Sequence, residues 1–167
     1  MKKSNNETFH KIIIDNDVEG LLKMSNKNKE DFLLILMYDY LCNKKLSEMN
    51  QVQKTLYLAM RLEDICQADA LPSLSEDEEI FLALPEIKLA YERLGALKTA
   101  QYLNEFIALI PKATIPEWDW FFDDERKQII HRLDSKICNY PDGLMKNLYI
   151  TYISNCENAN KLLNNLA

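Results

Sequence analysis

His10 and His131 are the only two histidines in the sequence, and neither has a serine, cysteine or acid at a known catalytic spacing. His131 with Asp134 three residues on has the form of a base and its orienting acid. On a helix the same spacing is also that of an ordinary surface contact, which is the preferred reading. Cys42, Cys66, Cys138 and Cys156 are scattered, with no C-x-x-C pair and no clustered histidine, so neither a metal site nor a cofactor is expected. They read as reduced thiols packed in a core. No glycine-rich phosphate loop is present. A carboxylate pair for glycoside hydrolysis is defined by a separation in space, which leaves a small hydrolase using clustered carboxylates as one alternative.

The carboxylates form the other candidates. Glu76, Asp77, Glu78 and Glu79 run together, and Asp119, Asp123, Asp124 and Glu125 surround the aromatic group Trp118, Trp120, Phe121 and Phe122. Carboxylates at i and i+4 on a helix lie about 5–6 Å apart at Cβ, so acidic helix faces approximate the charge row of duplex DNA, one phosphate per ~3.4 Å on each strand. The preferred reading is local: acids in a first helical turn meet the positive end of the dipole, which alone would place Asp123, Asp124 and Glu125, and Glu76 to Glu79 read likewise as a solvated loop and helix start. Exposed aromatics with flanking charge suit the centre of a protein interface. Otherwise they belong to the core. Trp118 and Trp120, two residues apart, cannot share one helical stripe, so at least one is expected at a surface or a homodimer contact.

Composition narrows the class. Hydrophobic residues make up 47% of the 167, enough to bury a core and too many for intrinsic disorder. Only 3 glycines and 5 prolines are present, too little turn material for a many-stranded sandwich or barrel. Against 26 acidic residues stand 20 basic ones, a net charge of −6 that argues against direct nucleic-acid binding. The apolar run Ile12-Ile13-Ile14 is too short for a signal peptide, and no stretch reaches the ~20 apolar residues of a membrane span. A cytoplasmic protein is expected.

The elements that must position these residues are helices. Thr8 to Ile14 and Asp17 to Ser25 read as two short ones. Asn28 reads as the cap of a helix with the stripe Phe32, Ile35, Leu36, Asp39 and Tyr40, and Ser47 as the cap before Val52, Leu56, Ala59, Leu62 and Cys66. Residues 69–85 read as a loop leading into a short helix, the best internal hinge, without splitting the chain. Pro85 then opens a helix with the stripe Ile87, Ala90, Tyr91 and Leu94, closed by Gly95. Ala100, Leu103, Ile107 and Ile110 follow as a second stripe, stopped by Pro111. Asp123 and Asp124 cap a helix carrying Ile129, Ile130, Leu133 and Ile137, and Asp142 caps the last one, with Leu144, Leu148, Tyr152 and Cys156 on its stripe. The expectation is an all-α, single-domain bundle of about seven to nine helices over residues 1–167.

The stretch from Glu86 to Ala100, with the segment around Asp134 and Asn139-Tyr140-Pro141-Asp142-Gly143-Leu144, resembles the DNA-mimic-protein-like family of small bacterial proteins. Thr55-Leu56-Tyr57 and Arg61-Leu62-Glu63 resemble its opening helix. The resemblance spans roughly the last two-thirds of the chain. It implies an all-helical fold, no known enzymatic activity and, for the member that names the family, an acidic dimer occupying the DNA-binding surface of a transcription regulator. This chain departs from the family after the opening helix. Where members have an Asn-Gly-Gly-Phe type segment, Asp64 to Asp69 runs on without glycine, so no functional residue is carried over. The expected role is a non-enzymatic interaction module whose partner is a protein with a basic surface, a transcription regulator by this resemblance. The alternative within binding proteins is an immunity or antitoxin protein capping a basic nuclease.

Overall fold

Apolar residues recurring every three to four positions favour the helix over any other backbone. The computed structural model, which describes residues 2–111 and 114–166, is 79% helical with no strand among the described residues, the expected all-α class. The helices are α1 (Lys2–Ile14), α2 (Val18–Lys23), α3 (Asn26–Ile35), α4 (Gln51–Ala68), α5 (Glu78–Leu82), α6 (Leu84–Leu94), α7 (Leu97–Leu109), α8 (Trp118–Phe121), α9 (Asp124–Cys138), α10 (Met145–Ile153) and α11 (Cys156–Leu163). Eight of the helices have seven residues or more, within the expected count. They form two compact units, one of residues up to 57 with those from 146 onward, the other of residues 58–145.

In the first unit, Phe9 of α1 packs edge-on against Phe32 of α3, with centroids 6.1 Å apart. Ser25, rather than Asn28, caps α3, its hydroxyl accepting from the Asn28 amide at 3.3 Å. The helix then widens into a π-turn over Leu36–Tyr40. The buried stripe is Phe32, Leu33, Leu36, Met37 and Leu41, and Tyr40, within the π-turn, is only half-buried and out of the core position that a regular 3.6-residue repeat assigns it. Asn50, not Ser47, opens α4, its side-chain oxygen accepting from the amides of Val52 and Gln53. Gln53, fully buried, donates to the carbonyls of Leu162 at 3.0 Å and Asn164 at 2.8 Å, satisfying the end of α11 where the helix itself has no donor left.

The second unit is built on the α6–α7 hairpin. Gly95 sits at φ 83°, and the amides of Gly95 and Ala96 reach back to the carbonyls of Glu92 and Tyr91, closing α6 in a Schellman turn as its position predicts. Ile87, Ala90, Tyr91 and Leu94 are all buried. On α7 the buried residues are Thr99, Ala100, Leu103 and Phe106, with Ile107 and Ile110 only half-buried. Asp142 does not cap α10. Its carboxylate caps α7 instead, accepting from the amides of Lys98 at 3.1 Å and Thr99 at 2.8 Å and from the Thr99 hydroxyl at 2.9 Å. α10 starts at Met145, which is buried while Leu144 stays exposed, and its residues from 146 onward belong to the first unit, where Tyr149, Ile150 and Ile153 are buried. A break at Ser154, with Asn155 capping α11, ends the stripe that the spacing carries on to Cys156. Residues 69–85 lie inside the second unit as a 3-10 turn (Leu71–Glu76) followed by α5, with Leu71, Leu74, Ile80 and Phe81 buried.

Candidate functional site

The residues that sequence singles out converge on α8 and its neighbours in the second unit. Phe121 is the pivot. It is buried, with Phe81 of α5 edge-on at 6.5 Å and Trp120 edge-on at 5.1 Å. A helix of four residues has too few backbone hydrogen bonds to hold itself, so this one anchor fixes its position. The 3-10 turn and α9 pack against the same helix, so both acidic segments are carried by elements meeting at α8.

Pinning Phe121 inward turns its neighbours outward. Trp118 remains 46% exposed and Phe122 44%, and their rings meet at a centroid distance of 5.2 Å. Core placement therefore holds for Phe121 alone. Trp120 is half-buried on the opposite side, under the Arg126 guanidinium 4.6 Å from its ring. Arg126 also donates to the Trp120 carbonyl at 3.0 Å and pairs with Asp123 at 3.3 Å.

A pocket of about 240 Å³ opens beside the exposed pair. Ala70, Pro72, Trp118, Phe121, Phe122 and Ile130 supply its apolar lining, and Asp69, Lys127, His131 and Asp134 its polar residues. Asp134 accepts the Leu71 amide at 2.9 Å, tying the turn to α9, and takes a weaker contact from the Cys138 thiol at 3.7 Å. Its role is thus to hold the pocket wall, in place of the surface contact with His131 that their spacing allows. Asp69 accepts from the Ser73 hydroxyl. These contacts commit both pocket carboxylates to local structure.

The acidic candidates divide by what they touch. Asp77 caps α5 through the Ile80 amide at 3.2 Å and pairs with Arg61 at 3.5 Å, and Asp123 caps α9 through the Glu125 amide at 3.2 Å. For those two the local reading is sufficient. Glu76, Glu78, Asp119, Asp124 and Glu125 are exposed, and none is in an ion pair among the described residues. Glu79 is exposed in the first turn of α5.

Two other arrangements went unread in the sequence. His10 Nδ1 lies 2.7 Å from the Tyr40 hydroxyl and its Nε2 3.6 Å from Asp39, a link from α1 to the π-turn. Burial, and then Asp39, pushes the Tyr40 phenol above its ordinary value, so it is no readier acid than a free tyrosine. The signal was the polar pair Asp39-Tyr40 on an otherwise apolar stripe. Cys66 and Cys138 also come together, as lining residues of one small cavity of about 10 Å³. Cys42 and Cys156 are exposed and Cys66 and Cys138 half-buried, so none of the four is the fully buried core thiol expected.

Among the described residues there is no group of three or more His, Cys, Asp or Glu placed to hold a metal ion, and no helix is long and apolar enough to cross a membrane. No family model, curated protein or solved structure matches this chain.

Proposed function

We propose that this chain is a non-enzymatic protein-binding module whose second unit presents an acidic, aromatic surface to a partner with a basic surface. One observation carries the reading: Trp118 and Phe122 lie in contact with each other and open to solvent on a segment, 117–125, that holds five carboxylates and no basic residue. Leaving two large rings nearly half exposed forgoes part of the about 1.5–3 kcal/mol that fully burying each would give, a cost that a binding surface recovers. Aromatic anchors ringed by charge are also what protein interfaces concentrate at their centres.

The resemblance to DNA-mimic-like proteins sharpens the partner to a DNA-binding regulator, whose basic groove the carboxylates occupy in place of phosphate. The test is recovery of partners on tagged chain from its native lysate at low salt and at about 1 M, where the screening length falls to ~3 Å. A basic protein held at low salt and released at high salt is expected, and a DNA mobility-shift assay should show that protein losing its DNA as the chain is added. Recovery of no basic protein at low salt would sink the reading. A basic nuclease in the regulator's place would assign the same surface to an immunity role.

A further inference from the structure

We propose that the pocket beside α8 is an anchor site for one large apolar side chain, presented by a partner segment whose flanking residues are lysine or arginine. The proposal rests on the binding role given above and adds what the partner must carry. At about 240 Å³ the pocket is smaller than the ~300–1,000 Å³ that small-molecule sites occupy, and is scaled to a single side chain. Its floor is already set before any ligand arrives. Phe121 and Ile130 are buried, Pro72 has no rotatable side chain to order, and the hydrogen bond from the Leu71 N–H to the Asp134 carboxylate holds the far wall. Binding there costs little ordering entropy.

Charge chooses the flanks. Glu117, Asp119, Asp123, Asp124 and Glu125 are exposed on the segment that carries Trp118 and Phe122 to the pocket, and Asp69 and Asp134 lie in its lining. Of these seven, Asp123 is paired with Arg126, and Asp69 and Asp134 accept from Ser73 and Leu71, which leaves Glu117, Asp119, Asp124 and Glu125 against Lys127 and the titratable His131. An acidic segment would meet net repulsion, whereas a basic one gains attraction along its length. Trp118 and Phe122 also offer ring faces to a guanidinium or ammonium group next to the anchor.

The chain's own tryptophan fluorescence can report binding, because Trp118 lines the pocket. The probes are short capped peptides with a central leucine, or a central alanine, between runs of lysine and arginine. The leucine peptide should bind about tenfold or more tighter, the worth of burying the extra methyl groups. Ala70→Leu, which fills the pocket from its own wall, should bring the leucine peptide down to the level of the alanine one. Equal binding of the two peptides by the unaltered chain would overturn the anchor site, while steep salt dependence of both would leave the acidic-surface reading standing. Binding of neither peptide overturns both. A doubling of mass in solution that Phe122→Ala abolishes would overturn the proposal in favour of self-association through the same rings.

Discussion

Individual side chains here are set by what surrounds them more than by their type. The four cysteines look equivalent in sequence, yet Cys42 and Cys156 face solvent while Cys66 and Cys138 lie together. The Cys66 thiol is pushed well above its ordinary range, first by its hydrogen bond with Cys138, then by burial, then by the nearby Cys138, Asp134 and Glu63. Since the thiolate is the species that reacts, Cys66 should be slow toward iodoacetamide at pH 8, with Cys42 and Cys156 modified first. Peptide mass spectrometry over a time course reads the order directly. Modification of Cys66 as early as Cys42 would show that its surroundings do not hold it protonated.

Whole elements depend on groups distant in sequence. The first turn of α7 has no side-chain cap of its own, and the donors of Lys98 and Thr99 go to Asp142, about 43 residues on. Asp142→Ala leaves those amides without a partner and removes a negative charge from the positive helix end, a loss of about 1–2 kcal/mol. Urea denaturation should show a lower midpoint at unchanged slope. An unchanged midpoint would mean that water replaces the cap at no cost. Helix positions with strong local punctuation were legible from sequence. Gly95 and the four-residue stripe on α6 predicted that helix end to end, and Asp123 predicted the start of α9. The π-turn was not legible, because one inserted backbone residue leaves composition and polarity unchanged while rotating every later side chain.

At the scale of the whole molecule, buried tyrosine makes stability depend on alkaline pH. Tyr91 is buried, with its hydroxyl donating to the Ala59 carbonyl at 3.2 Å. Burial chiefly, and then the neighbouring Cys66 and Glu63, holds its phenol well above the ordinary value of 10.0. The folded pKa exceeds the unfolded one, so the contribution is fully present below about pH 10 and is lost as pH rises from there through the folded value. Denaturation midpoints measured between pH 8 and 11 should fall above pH 10, less steeply in Tyr91→Phe. A parallel fall in both proteins would place the alkaline loss elsewhere. Raised phenols at Tyr40 and Tyr140 act with the same sign, so the variant removes part of the slope and not all of it.

The all-helical class and most helix positions were determined by the sequence itself, because helical periodicity and end signals are properties of residues within a turn or two of each other. The aromatic and acidic residues of the candidate site were visible there too, as types and as a cluster. Their arrangement was not. Only the tertiary structure decided that Phe121 points inward and so sends Trp118 and Phe122 out, that Asp134 secures Leu71 instead of orienting His131, and that Asp142 serves α7 and not α10. Each of these depends on which of two locally acceptable positions brings a side chain to a partner tens of residues away. Burial and hydrogen bonding across that distance make the choice, and no local pattern records it.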